Sequence, residues 1–128
     1  MAPFFFIRSD GRYIKIAFGD IVYLESVKNY VRIVTTQKSW LVLMSLRQIE
    51  KEMPSDMFCR VHRSFMVSLY HIISFDNEMV QLATRQVPIG NRFRQALPAS
   101  VRILNADVRN RPSYSAVDAD DELLYLTT

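Results

Sequence analysis

Apolar and polar residues alternate over much of the first hundred positions. A period of two puts successive side chains on opposite faces of a strand. Residues 4–8 are apolar and aromatic, a strand by composition. Asp10-Gly11 follows as a turn dipeptide. Over 13–18, Ile14, Ile16 and Phe18 share one face, while Tyr13, Lys15 and Ala17 share the other. Gly19-Asp20 marks the next turn, and residues 21–25 form a β-rich run that Lys28-Asn29 breaks. Alternation resumes over 30–35, with Tyr30, Arg32 and Val34 opposite Val31, Ile33 and Thr35. Polar residues 36–38 give way to 40–44, which reads as a buried apolar run.

The period changes at Ser45. Ser45 followed three residues later by Gln48 matches a helix capping box. Leu46, Ile49 and Met53 fall on one helical stripe, Arg47, Glu50, Lys51 and Glu52 fall off it, and Pro54 ends the segment. Strand signals return over 58–61 and 65–69, around His62-Arg63-Ser64. Residues 72–75 and 79–83 predict a hairpin turning at Asp76-Asn77-Glu78, and 86–89 a last short strand. Gly90-Asn91 is placed to start a final helix over about 92–97. Many short strands and one clear helix predict a mostly-β domain, sandwich-like or an irregular stack of small sheets. Its expected core is Ile21, Tyr23, Leu24, Ile33, Trp40, Leu46, Ile49, Phe65, Val67, Ile72 and Ile89.

Composition narrows the class. At 128 residues the chain is about one domain long. Hydrophobic residues make up 49% and charged residues 23%, which is ordinary globular usage and excludes wholesale disorder. The single cysteine, Cys59, cannot close an internal disulfide, so nothing points to a cross-linked secreted scaffold. The longest uncharged stretch, 64–75, is far short of a membrane-spanning helix. No basic region precedes Phe4-Phe5-Phe6 to make a signal peptide. A cytoplasmic protein without a membrane partner is the expectation.

The net charge of +3 hides an asymmetry. Through Leu104 there are 14 basic and 8 acidic residues, a balance of +6; from Asn105 there are 2 basic and 5 acidic, a balance of −3. Such a division points to a nucleic-acid partner or a charged tail. Residues 4–104 therefore read as the domain, and 105–128 as a flexible acidic tail whose apolar end, Leu123, Leu124, Tyr125 and Leu126, is suited to docking.

Catalytic chemistry finds little support. Gly11, Gly19 and Gly90 are isolated, so no phosphate-binding loop is present. Cys59 and His62 have a ligand-like spacing, but His71 is the only other histidine and a structural zinc site wants four ligands. His62 and Ser64 lack an evident orienting carboxylate. No metal, cofactor or enzymatic activity is expected. The arginines say more: Arg60, Arg63, Arg85, Arg92 and Arg94 lie at or near breaks in the strand pattern, as does Lys28-Asn29. A guanidinium holds a phosphate, or the O6/N7 edge of guanine, bidentately where an ammonium cannot. Solvated surface arginine is the other reading of the same residues.

Order and spacing add a resemblance. The runs are Asp20-Ile21-Val22-Tyr23-Leu24-Glu25-Ser26, Tyr30-Val31-Arg32-Ile33, Leu46-Arg47-Gln48-Ile49-Glu50, the segment 58–72, and Val87-Pro88-Ile89-Gly90-Asn91-Arg92-Phe93. Together they resemble the LytTR family, the LytR/AlgR-type DNA-binding domain of bacterial response regulators. The resemblance covers roughly residues 4–104, with 58–72 its most specific part. It implies an elongated arrangement of small antiparallel sheets with one or two short helices and no recognition helix. It also implies loops that enter successive major grooves of double-stranded DNA, commonly at direct repeats, in a two-component transcription regulator.

Carried over by position, the resemblance places base reading at Asn29 or Tyr30, with Lys28 beside them for phosphate. Arg63 would read guanine, Arg60 would contact the backbone nearby, and His62 would be a structural hydrogen-bonder. In the third loop the family usually shows Ser-Arg-Arg, whereas this chain reads Gly90-Asn91-Arg92. Either Asn91 or Arg92 then reaches a base, with Arg94 close by, and the target sequence cannot be copied from relatives. Tyr30 equally suits packing at a strand start. Arg32, Lys38, Arg47 and Lys51 read as solvated faces, and residues 4–6 as an edge strand or an interface. Self-association on DNA and an upstream signalling partner fit the same picture. The rival from another class is a non-enzymatic β protein-interaction module that never touches DNA.

Overall fold

In the computed structural model, which describes residues 3–105, the alternating segments pair into three antiparallel sheets. Strands β1 (Phe4–Ser9) and β2 (Arg12–Ala17) form a hairpin on their own. Its two-residue turn uses left-handed backbone at both positions, and Asp10 (φ 52°) and Gly11 (φ 74°) supply it. A 3-10 turn at Phe18–Asp20 leads into β3 (Ile21–Val27) and β4 (Tyr30–Thr35), then β5 (Ser39–Val42). Helix α1 (Leu46–Glu50) follows, then β6 (Phe58–His62) and β7 (Phe65–Ser68). The central sheet runs in the order β5-β4-β3-β7-β6. Short strands β8 (Ser74–Phe75), β9 (Met79–Gln81) and β10 (Gln86–Pro88) make the third sheet, and α2 (Ala96–Ser100) closes the fold.

The central sheet is covered on both faces. Leu24, Ile33, Phe58 and Met66 join Ile7, Ile16, Phe18, Leu46, Ile49 and Met53, so the β1–β2 hairpin and α1 cover one side. Tyr23, Cys59, Val61, Phe65 and Val67 join Val80, Leu82, Val87 and Leu97, so the third sheet and α2 cover the other. Period-2 alternation divides each strand between these two cores. All four residues of β7 are buried for this reason. Full burial of one such aliphatic side chain contributes about 1.5–3 kcal/mol.

The capping box is formed in full: Ser45 Oγ accepts from the Gln48 N–H at 3.1 Å, and Gln48 Oε1 accepts from the Ser45 N–H at 2.8 Å. Asp76 turns the β8–β9 hairpin by accepting from the backbone N–H groups of Glu78 (2.7 Å) and Met79 (2.8 Å). Those two donors hold its carboxyl below the usual carboxylate range. The turn gains from this at neutral pH and loses the gain as the pH falls through the lowered value.

Several expectations need correction. The run at 40–44 is not buried: β5 is an outer strand, and Leu41 and Leu43 are 54% and 70% exposed. An edge strand covers the core with one face only, so Trp40, Val42 and Met44 pack and their neighbours do not. Trp40 and Ile72, placed in the core by sequence, are only partly buried. Phe18 and Leu69 begin 3-10 turns instead of extending strands, and the 72–75 strand shrinks to Ser74–Phe75. The last helix starts later than expected, at Ala96, after a 3-10 turn at Asn91–Phe93. Pro98 lies inside its first turn, where a missing N–H leaves no intrahelical bond unmade. Arg32 is not simply solvated, since it pairs with its cross-strand neighbour Glu25 at 3.1 Å. The acidic segment from 106 onward and the apolar group at 123–126 lie outside the described residues. Among the described residues no helix is long and apolar enough to cross a membrane.

Ser68 is fully buried in β7, and its Oγ has no hydrogen-bond partner among the described residues. A buried hydroxyl left unpaired is destabilising. Ser68→Ala is expected to raise stability by about 1 kcal/mol, read as a higher urea midpoint at unchanged slope. A lower midpoint would show that the hydroxyl is satisfied.

Candidate nucleic-acid interface

The three candidate loops are tied together by backbone hydrogen bonds at one end of the central sheet. The β6–β7 ladder slips between Arg60 and His62, which makes Val61 the extra residue of a β-bulge. Freed from the ladder, the Val61 carbonyl accepts from the Gly90 N–H at 2.8 Å. This bond fixes the start of the third loop against the end of β6. A Cβ on Gly90 would lie 3.3 Å from the Phe93 ring, a tight contact, and 3.5 Å from the His62 ring, an ordinary one. The Ser64 carbonyl accepts from the Ser26 N–H at 2.8 Å, joining the β6–β7 turn to β3 two residues before Lys28. Within the turn, His62 Nδ1 accepts from the Ser64 N–H at 3.0 Å. His62 is thus a hydrogen-bonding residue of the turn, and its Nδ1 is not available as a base toward Ser64.

The cations divide by what they already hold. Arg60 donates through Nε to the His62 carbonyl (2.8 Å), through Nη1 to Glu50 (2.9 Å) and through Nη2 to the Arg63 carbonyl. Its guanidinium carbon also lies 5.8 Å from the centre of the Phe93 ring. Arg60 therefore faces inward rather than standing beside Arg63 as a free contact. Arg85 is likewise engaged: it donates to the Tyr23 hydroxyl at 3.2 Å and sits 5.3 and 5.1 Å from the Tyr23 and Phe65 rings. By contrast, Lys28, Arg63, Arg92 and Arg94 are exposed and their side chains have no partner among the described residues.

Geometry groups the free side chains unequally. Arg63, Asn91 and Arg92 line one groove of about 430 Å³ together with His62, Gly90 and Phe93. Lys28 and Asn29 border a separate hollow of about 300 Å³ with Ser26, Leu43, Met44, Ser45 and Gln48. Tyr30, 44% exposed at the start of β4, and the exposed Arg94 line neither. Lys28 adopts left-handed backbone at φ 56°, a conformation strained for a side chain with a Cβ. Sequence reasoning missed Glu50 and Phe93 as supports of the site. Glu50 reads as one polar position of a helix, and only the packing of α1 near the end of β6 brings it to Arg60.

Other chemistry is absent from this region. Among the described residues no group of His, Cys, Asp and Glu could hold a metal ion. Cys59 points into the second core, with the Ser100 Oγ 3.6 Å from its sulfur, and burial raises its thiol above the usual range. A raised thiol pKa keeps the group protonated and unreactive at neutral pH. Iodoacetamide is expected to alkylate Cys59 at least ~10-fold more slowly in the folded protein than in urea. Equal rates would place the sulfur at the surface.

Comparison with known proteins adds to this geometry. The family model described as LytTr DNA-binding domain matches residues 11–101. The sensory transduction protein LytT of Bacillus anthracis is 30% identical over 90 residues, covering 66% of this chain and 37% of its own. LytT of Bacillus cereus gives the same identity and coverage. The CO-responsive transcriptional regulator RcoM of Rhodospirillum rubrum is 34% identical over 55 residues, 43% of this chain and 23% of its own. The chain thus spans little more than a third of the length of the LytT proteins. Among solved structures, a LytTr DNA-binding domain from Bacillus cereus superposes with a TM-score of 0.65 at 21% identity, covering 74% of this chain and 93% of that one. At that identity the likeness is one of fold.

Proposed function

The chain belongs to the LytTr DNA-binding domain family, and from that premise we propose that it reads double-stranded DNA with loops as part of a transcription regulator. Residues 4–104 are the reading unit, and 105–128 a separate acidic extension. The observation that carries this reading is the groove in which Arg63, Asn91 and Arg92 converge with no side-chain partner among the described residues. Unpaired guanidinium groups on a fixed backbone are what bidentate recognition of guanine or phosphate needs. Neither helix supports an alternative reader, since α1 and α2 have five residues each and help to cover the core.

The roles follow from chemistry. Arg63 reads guanine O6/N7 in one major groove, and Asn91 or Arg92 reads beside it. Asn29 suits adenine N6/N7 at the hairpin tip. Lys28 and Arg94 neutralise phosphates, which gives affinity without sequence information, and Tyr30 flanks Asn29. Direct repeats would place copies side by side on one face of the duplex. Such a regulator works in the cytoplasm, under the control of a signalling partner.

Four measurements test this. Arg63→Ala is expected to weaken binding to a selected duplex by ~1–3 kcal/mol and to relax one base position. Equal losses on selected and scrambled duplexes would make Arg63 a phosphate contact instead. If Lys28 and Arg94 each neutralise a phosphate, the slope of log K against log salt is about −2. A gel shift with mixed genomic DNA at low salt must show a complex; its absence overturns the reading. Lys28→Gly should weaken binding evenly across sequences while leaving stability unchanged or up to about 1 kcal/mol higher, because it relieves the left-handed strain.

A further inference from the structure

We infer that Arg60 and Glu50 form a positioning pair that sets the sequence selectivity of Arg63, and that Arg60 is not itself a DNA contact. The inference rests on the DNA-reading function proposed above. Arg60 has the right charge and place for a phosphate, yet its side chain is only 17% exposed. All three of its nitrogens are occupied. Nε and Nη2 reach the successive carbonyls of His62 and Arg63, and Nη1 reaches Glu50 on α1. Two successive carbonyls held by one planar group fix the orientation of the peptide units that follow His62 and Arg63. That fixes the direction in which the Arg63 side chain leaves the backbone.

Charge bookkeeping points the same way. Glu50 offsets the Arg60 charge at 2.9 Å, so the pair adds little to long-range attraction for phosphate. The two turn carbonyls would otherwise present negative ends beside a polyanion, and Arg60 covers them. Two further groups of the turn are held as well, the Ser64 N–H by His62 Nδ1 and the Ser64 carbonyl by the Ser26 N–H. The Phe93 ring under the guanidinium brings the third loop into the same assembly. Lysine in place of Arg60 keeps the charge but cannot span both carbonyls and Glu50 in one plane.

The test uses the full chain, a duplex that the wild-type chain selects from random sequence, and a scrambled duplex of the same composition. Arg60→Lys and Glu50→Gln are each expected to lower the selected-to-scrambled affinity ratio about tenfold. Affinity for the scrambled duplex and its salt slope should stay close to wild type in Arg60→Lys, and scrambled affinity should rise slightly in Glu50→Gln, which unmasks the Arg60 charge. In an Arg63→Ala background, either substitution should lower the ratio by less than about twofold, because the residue it positions is gone. Glu50 is 41% exposed and glutamine is nearly isosteric, so this variant remains informative if Arg60→Lys fails to fold. Thermal melts accompany each variant. Three results overturn the inference: a ratio unchanged in Glu50→Gln, a loss of about one unit of salt slope in Arg60→Gln on both duplexes, or a full loss that persists without Arg63. Failure of the wild-type chain to bind any duplex removes the DNA reading itself, and this inference with it.

Discussion

The hydrogen bond from the Gly90 N–H to the Val61 carbonyl holds the candidate site together. It exists because β6 carries one residue more than its partner can pair. As an outermost strand, β6 has one edge free of ladder partners, and the Val61 carbonyl meets the third loop there. The bulge turns that carbonyl out of the ladder while the Val61 side chain stays fully buried. One irregularity thus does two things: it keeps the strand in the core and aims its end at a distant loop. The lack of a side chain at Gly90 suits this approach, because a methyl group there would come within 3.3 Å of the Phe93 ring.

Charge in this protein acts through what is left unpaired. The total of +3 is small, and the +6 of the first 104 residues still overstates what a polyanion would meet. Arg32, Arg60 and Arg85 spend their guanidinium groups on Glu25, on Glu50 and two carbonyls, and on Tyr23 with a second ring. These pairs hold strands and turns in register. The cations that remain exposed at the loops are fewer, and they differ in setting: Arg63 and Arg92 share a groove, while Lys28 sits on a strained hairpin tip. Arginine content points to the loops, but the partners decide which arginines stand exposed there.

That distinction also marks how far the sequence could be read. Features set by neighbours in sequence were legible: the Asp10-Gly11 and Lys28-Asn29 turns, the Ser45–Gln48 capping box, the Asp76 turn, and most strands from Phe4 to Pro88. The fold class was legible through the order of the strand motifs. Features set by long-range packing were not. Nothing local distinguishes Arg60 from Arg63, since the difference lies in Glu50 on another element. Hydrophobicity alone could not show that Leu41 and Leu43 face solvent, because that depends on β5 being the outermost strand. The late start of α2 was hidden because Asn91–Phe93 forms a 3-10 turn before the helix begins at Ala96.

A reader built from loops faces a constraint that a helix does not. A helix carries its own hydrogen bonds, so its side chains are ordered whenever the helix is. Here the proposed reading positions are ordered by bonds between Ser26 and Ser64 and between Val61 and Gly90, residues far apart in the chain. Such contacts form only when the sheet has assembled, because closing long loops must precede any gain from them. The site and the fold are therefore one cooperative unit, and the backbone supporting Arg63 is fixed before DNA arrives. Ordering that is already complete need not be supplied at binding, so more of each base contact appears as discrimination. The same logic explains why half-buried polar residues, Arg60, His62 and Ser64, gather at this turn while much of the sheet is apolar. The turn must be rigid where no strand can run, and a guanidinium holding two carbonyls supplies that rigidity.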